Sequence, residues 1–89
     1  MSYLKENIRA VRTLLGLTQA DFAKLMGTKR TTLAHYEQGG NDPSLAFMEK
    51  ICDLTEMDFK TFKYKEIQPE HLKDLRKVVT RNVAHAAAK

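Results

Sequence analysis

Apolar residues recur every three to four positions along almost the whole chain, and Val, Ile and Thr form no alternating runs. That spacing is helical. Leu4, Ile8, Val11 and Leu15, with Lys5, Glu6, Arg9 and Arg12 between them, predict an amphipathic first helix ending near Gly16. Thr18 then serves as an N-cap, with Asp21 three residues on as its capping-box partner. Phe22, Ala23 and Met26 form the inner face of a second helix, which Gly27 stops. A third helix is predicted from Thr28 or Lys29 to near Gly39, burying Leu33 and Tyr36. Gly39, Gly40, Asn41, Asp42 and Pro43 read as a loop. Ser44 caps a fourth helix carrying Leu45, Met48, Ile51 and Cys52, and Asp58 caps a short fifth with Phe59 and Phe62 facing inward. After the connector K-Y-K-E-I-Q-P, Pro69 opens a last helix with Leu72, Leu75, Val79 and Val83 as its apolar positions, fraying into A-A-A-K. The fold class this predicts is all-α: a five-helix domain over residues 1–66 and an additional C-terminal helix over 67–89.

Composition narrows the picture. Eighty-nine residues make one domain with a modest core, and 43% hydrophobic residues favour folding over disorder. A net charge of +4 permits a polyanionic partner without requiring one. The lone Cys52 forms no intramolecular disulfide, which fits a reducing, cytoplasmic setting. The charged start M-S-Y-L-K-E-N-I-R lacks the apolar core of a signal peptide, and no apolar run reaches membrane-span length.

The informative feature is the pair of short helices joined at Gly27. Two such helices with a tight glycine turn form a helix-turn-helix. The second lies in the major groove of B-DNA and presents its N-terminal residues to base edges. The stretch G-T-K-R-T-T-L-A-H-Y-E-Q-G suits that task. Lys29, Arg30 and Thr31 stand on the leading turn, and His35 lies one turn behind Thr31 on the same side. Leu33 and Tyr36 point back into the core.

The run T-Q-A-D-F-A-K-L-M-G-T-K-R-T-T-L-A-H-Y-E-Q-G, with I-R-A-V-R-T-L-L-G-L-T-Q before it and N-D-P-S-L after it, resembles the phage repressor and Cro type of helix-turn-helix domain. The resemblance covers residues 4 to about 63. It rests on Arg12, Gly16-Leu17-Thr18-Gln19, Ala23, Gly27, Glu37, Gly39 and Pro43-Ser44 falling together at the right spacing. It implies that Gln19 meets a phosphate and braces the recognition helix. Lys29, Arg30, Thr31 and His35 fall at base-facing positions, and Thr28 and Thr32 at positions for phosphate contact or capping. Backbone amides from Gln38 to Asn41 match the loop that meets the next phosphate. Arg12 and Glu37 match the ion pair tying the first helix to the end of the third, and a guanidinium fork satisfies both oxygens of a buried carboxylate. Where the family usually has a glycine after the fourth helix, this chain has Glu56.

Other residues read plainly. Cys52 is a small buried hydrophobe, Tyr36 a core residue with its hydroxyl near the surface, and Met26, Phe47, Met48, Phe59 and Phe62 core or interface. His35, His71 and His85 are too far apart for a metal site, and Gly39-Gly40 lacks the context of a phosphate-binding loop. No nucleophile stands beside a base and no cofactor is called for, so an enzyme is not expected.

The last helix admits two readings at this stage. Its stripe packs onto the chain's own domain, or it forms a seam with a twofold mate. Association is favoured indirectly, because one such domain reads few base pairs and dimers pair half-sites about one helical turn apart. The expected function is a double-stranded DNA-binding transcriptional regulator. By resemblance it is a repressor, binding a palindromic operator as a homodimer. The alternative is an antitoxin or interaction module that holds a protein partner through the C-terminal helix. In a longer protein that helix would be a linker.

Overall fold

The computed structural model describes residues 2–87, with side chains as far as His85, and every regular element among them is helical. The helices are α1 (Leu4–Leu15), α2 (Gln19–Met26), α3 (Arg30–Gln38), α4 (Leu45–Thr55), α5 (Phe59–Tyr64) and α6 (Leu72–Ala87). A 3₁₀ turn at Pro69–His71 leads into α6. The alanine tail beyond Ala87, where fraying is expected, lies outside the described residues.

Local chemistry explains most of the boundaries. The side chains of Thr18, Ser44 and Asp58 each accept from the amide three residues on, at Asp21, Phe47 and Thr61, capping α2, α4 and α5. The helix ends share one geometry. A residue in the left-handed region is followed by an amide that reaches back five residues: Leu17 to the Arg12 carbonyl (3.2 Å), Thr28 to Ala23 (2.9 Å) and Gly40 to His35 (2.9 Å). At Gly27 this needs φ of 71°, which costs other L-residues energy and is the reason glycine stands in the turn.

At α4 the same stop is made without glycine. Glu56 adopts φ of 56° and the Met57 amide bonds the Cys52 carbonyl at 3.3 Å. Its carboxylate accepts from Asn82 at 3.1 Å and pairs with Arg81, both on α6. The same Asn82 amide donates to the Leu54 carbonyl at 2.8 Å and to that of Asp53 at 3.3 Å, so α6 supplies the cap that the end of α4 lacks locally. The chain path across this junction is thereby held by a contact between distant segments.

Two layers meet across the core. α1 packs on α3, α5 and α6, while α4 packs on α2, α5 and α6. Ile8, Val11, Phe22, Leu33, Ile51, Phe62 and Val79 are all completely buried between them. Val79, with Leu75 and Val83 packed beside it, carries α6 into this single core. Val79 of the last helix is thus packed in cis, while Leu72, Leu75 and Val83 of the same stripe stay half-buried. α6 packs against both α1 and α4, which accounts for the complete burial of Val79.

Phe59 departs from the sequence expectation, and Asn7 adds a buried polar contact to which the sequence assigned no role. Phe59 is 45% exposed while Phe62 is fully buried. α5 is six residues long, and Phe59 opens it at the rim, with the Lys63 ammonium 5.6 Å from its ring centre. Asn7 is buried although polar. Its amide donates to the carbonyls of Phe62 (2.6 Å) and Lys65 (2.9 Å), and its oxygen accepts from the Ile67 amide (3.0 Å). One side chain thus satisfies the backbone where the chain leaves α5 for the connector.

Candidate nucleic-acid interface

α3 begins at Arg30, one or two residues later than its spacing predicts, with Lys29 extended at the N-cap (φ −81°, ψ 150°). No side chain caps it. Thr28, expected to contact phosphate or cap, has its amide committed to the turn through the Ala23 carbonyl, so the N-cap falls on Lys29. Thr32, also considered for capping, lies half-buried inside the first turn. The leading amides of α3 consequently face outward without an intrahelical acceptor. Together with the helix dipole and two cations, such an end attracts anions.

The two faces of α3 separate cleanly. Leu33, Tyr36 and Glu37 are buried, while Lys29, Arg30, Thr31, His35 and Gln38 are exposed. Leu33 and Tyr36 dock the back of the helix. Tyr36 meets the Phe47 ring edge-on at 5.0 Å, and its hydroxyl accepts from the Ser44 amide at 3.3 Å. That bond anchors the loop after α3, where Asn41 is also exposed. Lys29, Arg30 and Thr31, just past the glycine turn, are therefore all open to solvent.

The back end of α3 is held by a charged cluster. Glu37 is 1% exposed and Arg12 retains 20% of its side-chain surface. Arg12 donates through Nε to Glu37 Oε2 (2.8 Å) and through Nη2 to Oε1 (3.1 Å), while its Nη1 reaches the Leu17 carbonyl (3.0 Å). This is the bidentate fork expected of the pair. Gln19 Nε2 donates to the same Oε1 at 3.2 Å, so the first side chain of α2 ties directly to α3. Arg9 was not singled out from sequence. It donates to the Glu37 carbonyl at 3.1 Å and stands 3.9 Å from its carboxylate. Its signal was present, since Arg9 and Arg12 lie three apart on one side of α1.

Elsewhere the chemistry is quiet. Burial, with help from Asp53 and Asp58, pushes the Cys52 thiol above its ordinary value, so the reactive thiolate is disfavoured. Among the described residues, no three His, Cys, Asp or Glu side chains gather as a metal site, and no helix is long and apolar enough to cross a membrane.

A family model described as helix-turn-helix matches residues 8–62, which span α1 to α5. The chain belongs to the helix-turn-helix family of the phage repressor and Cro type. Three relatives illustrate its reach. An uncharacterized HTH-type transcriptional regulator, MJ0272, of Methanocaldococcus jannaschii is 42% identical over 49 residues, covering 55% of this chain and 74% of that protein. A putative HTH-type transcriptional regulatory protein of Archaeoglobus fulgidus is 40% identical over 62 residues, covering 70% of this chain and 18% of the relative. Antitoxin PezA of Streptococcus pneumoniae is 36% identical over 47 residues, covering 53% of this chain and 30% of the antitoxin. This chain therefore corresponds to only a small part of several relatives. No solved structure matches it. The family match ends within α5, so α6 and its cap on α4 fall outside it.

Proposed function

We propose that this chain is a sequence-specific double-stranded DNA-binding transcriptional regulator, a repressor that occupies a palindromic operator as a homodimer. The observation that carries the reading is the open front of α3, where Lys29, Arg30, Thr31 and His35 are all exposed on a helix fixed from behind. In this reading those four side chains meet base edges in the major groove. Thr28, Thr32, the Gln38 side chain, the Asn41 amide and the free edge of Gln19 meet phosphates on either side, the amides of Gly39 and Gly40 being committed to the Tyr36 and His35 carbonyls. The reading treats residues 1–66 as the DNA-binding unit and 67–89 as an accessory segment. The body measures 32 × 28 × 21 Å, close to the ~34–36 Å between successive half-sites, so two copies fit side by side along one face of a duplex.

Selection of bound duplexes from a random pool tests this. A recovered consensus with twofold symmetry is expected. A pool that stays random would overturn sequence-specific binding, and an asymmetric single half-site would overturn the dimer.

The likeness to an antitoxin supports a second reading, in which the domain also holds a protein partner through α6. Val79, Leu75 and Val83 are occupied in cis, so such a partner would meet the outer, cationic side of α6 at Lys73, Arg76 and Lys77. Sedimentation distinguishes the two readings, because a regulator of this design self-associates without a second protein.

A further inference from the structure

Two lysines outside the recognition helix stand at its two ends. Lys50, on α4, brings its ammonium to within 3.6 Å of where a side chain on Gly27 would begin. Lys5, on α1, lays its Cδ 3.2 Å from the corresponding point on Gly39. Gly27 is the turn before α3 and Gly39 the stop after it. Both lysines are exposed, and among the described residues neither has a carboxylate within ion-pairing distance. Neither ammonium donates a hydrogen bond to the helix ends beside it. The Lys50 ammonium stands beside bare glycine backbone at Gly27 and the Lys5 stem beside that at Gly39, and both charges remain available to a partner.

We propose that Lys5 and Lys50 are phosphate clamps that grip the DNA backbone on opposite flanks of the groove entered by α3. The inference rests on the DNA-binding reading of α3 and adds two contacts from elements that do not read bases. A helix in the major groove lies between the two phosphate ridges that border it, so cations on long stems at its ends come within reach of the backbone. A compact ammonium on a flexible stem suits a phosphate, which needs charge more than a planar fork. Such contacts set register and affinity but carry no sequence information.

The test is fluorescence anisotropy with a labelled random-sequence duplex, titrated at a series of salt concentrations. Each phosphate contact contributes about 0.9 to the slope of log affinity against log salt. Lys5→Ala and Lys50→Ala should each lower the slope by about one unit and the affinity roughly three- to tenfold at 0.1 M salt, and the double variant by about twice the slope change. Lys5→Arg and Lys50→Arg should retain the slope. Lys73→Ala, on α6, should leave it unchanged. The loss should be the same on two duplexes of unrelated sequence.

An unchanged slope in both alanine variants overturns the clamp, as does an equal loss from Lys73→Ala, which would report net charge alone. A loss confined to one duplex sequence overturns the assignment to phosphate. If the unaltered protein binds no duplex even at low salt, the DNA-binding reading itself fails, which is a separate outcome.

Discussion

Replacing Glu37 with glutamine changes little shape and removes one charge. In the native cluster Glu37 is 1% exposed and accepts three side-chain hydrogen bonds, two from Arg12 and one from Gln19. A glutamine keeps a single acceptor oxygen and points an amide at a guanidinium, so at least one donor–donor clash replaces a charge-assisted bond. Removing one partner of a fully buried pair costs about 3–5 kcal/mol. Arg12 keeps 20% of its surface and Arg9 keeps 59%, so both cations recover part of their hydration when the carboxylate goes. The cost is therefore set lower, at about 2–3 kcal/mol, against a total of roughly 5–15 for a domain of this kind. For a domain of this size each kcal/mol moves the midpoint by about 4–8 °C, so the Tm of Glu37→Gln should fall by roughly 10–20 °C. Circular dichroism at 222 nm measures it directly, and urea melts supply the free energy. The double variant with Arg12→Ala should be less destabilised than the sum of the singles, because the orphaned charge is gone. A fall of less than about 3 °C, or strict additivity in the cycle, would refute the view that this cluster anchors α3.

Three other outcomes are expected. Arg30→Ala should leave the melting curve nearly unchanged and weaken binding to a selected duplex by about 1–3 kcal/mol, the range of a lost bidentate base contact, as read by gel-shift titration. Asn82→Ala should destabilise by about 1–2 kcal/mol in urea melts, because it strips a donor from the carbonyls of Leu54 and Asp53 and from the Glu56 carboxylate. The Glu56 carboxyl is held below its ordinary value of 4.5 by the Asn82 hydrogen bond first and by Arg81 next. A depressed folded pKa stabilises above the unfolded value and loses that contribution as pH falls through the folded one. The Tm of the unaltered protein should therefore drop more steeply below pH 4.5 than that of Glu56→Gln, and parallel curves would contradict a stabilising contact of Glu56 with Asn82 and Arg81.

Much of the fold is legible along the chain because its signals are local. Thr18, Ser44 and Asp58 cap amides three residues away, and Gly16, Gly27 and Gly39 answer a backbone demand at their own positions. Such features need no knowledge of distant segments. The opposed faces of α3 follow likewise from helical spacing, since Leu33 and Tyr36 must point away from Arg30 and Thr31. The Arg12–Glu37 pair became visible only because a family resemblance linked two positions 25 residues apart. Face assignment failed at Phe59, because a helix of fewer than two turns has too few positions to define an apolar side.

The sequence alone determined where most of the helices start and stop and which side of α3 carries donors, because capping, φ preference and helical period act within a few residues. Only the tertiary structure decided that α6 folds back onto α1 and α4, that Asn82 caps a helix 28 residues earlier, that Asn7 fastens the connector, and that Lys5 and Lys50 arrive at the ends of α3. Those facts depend on which surfaces meet in space. An apolar stripe or an exposed cation has the same pattern along the chain whichever neighbour it finds, and packing alone makes the choice.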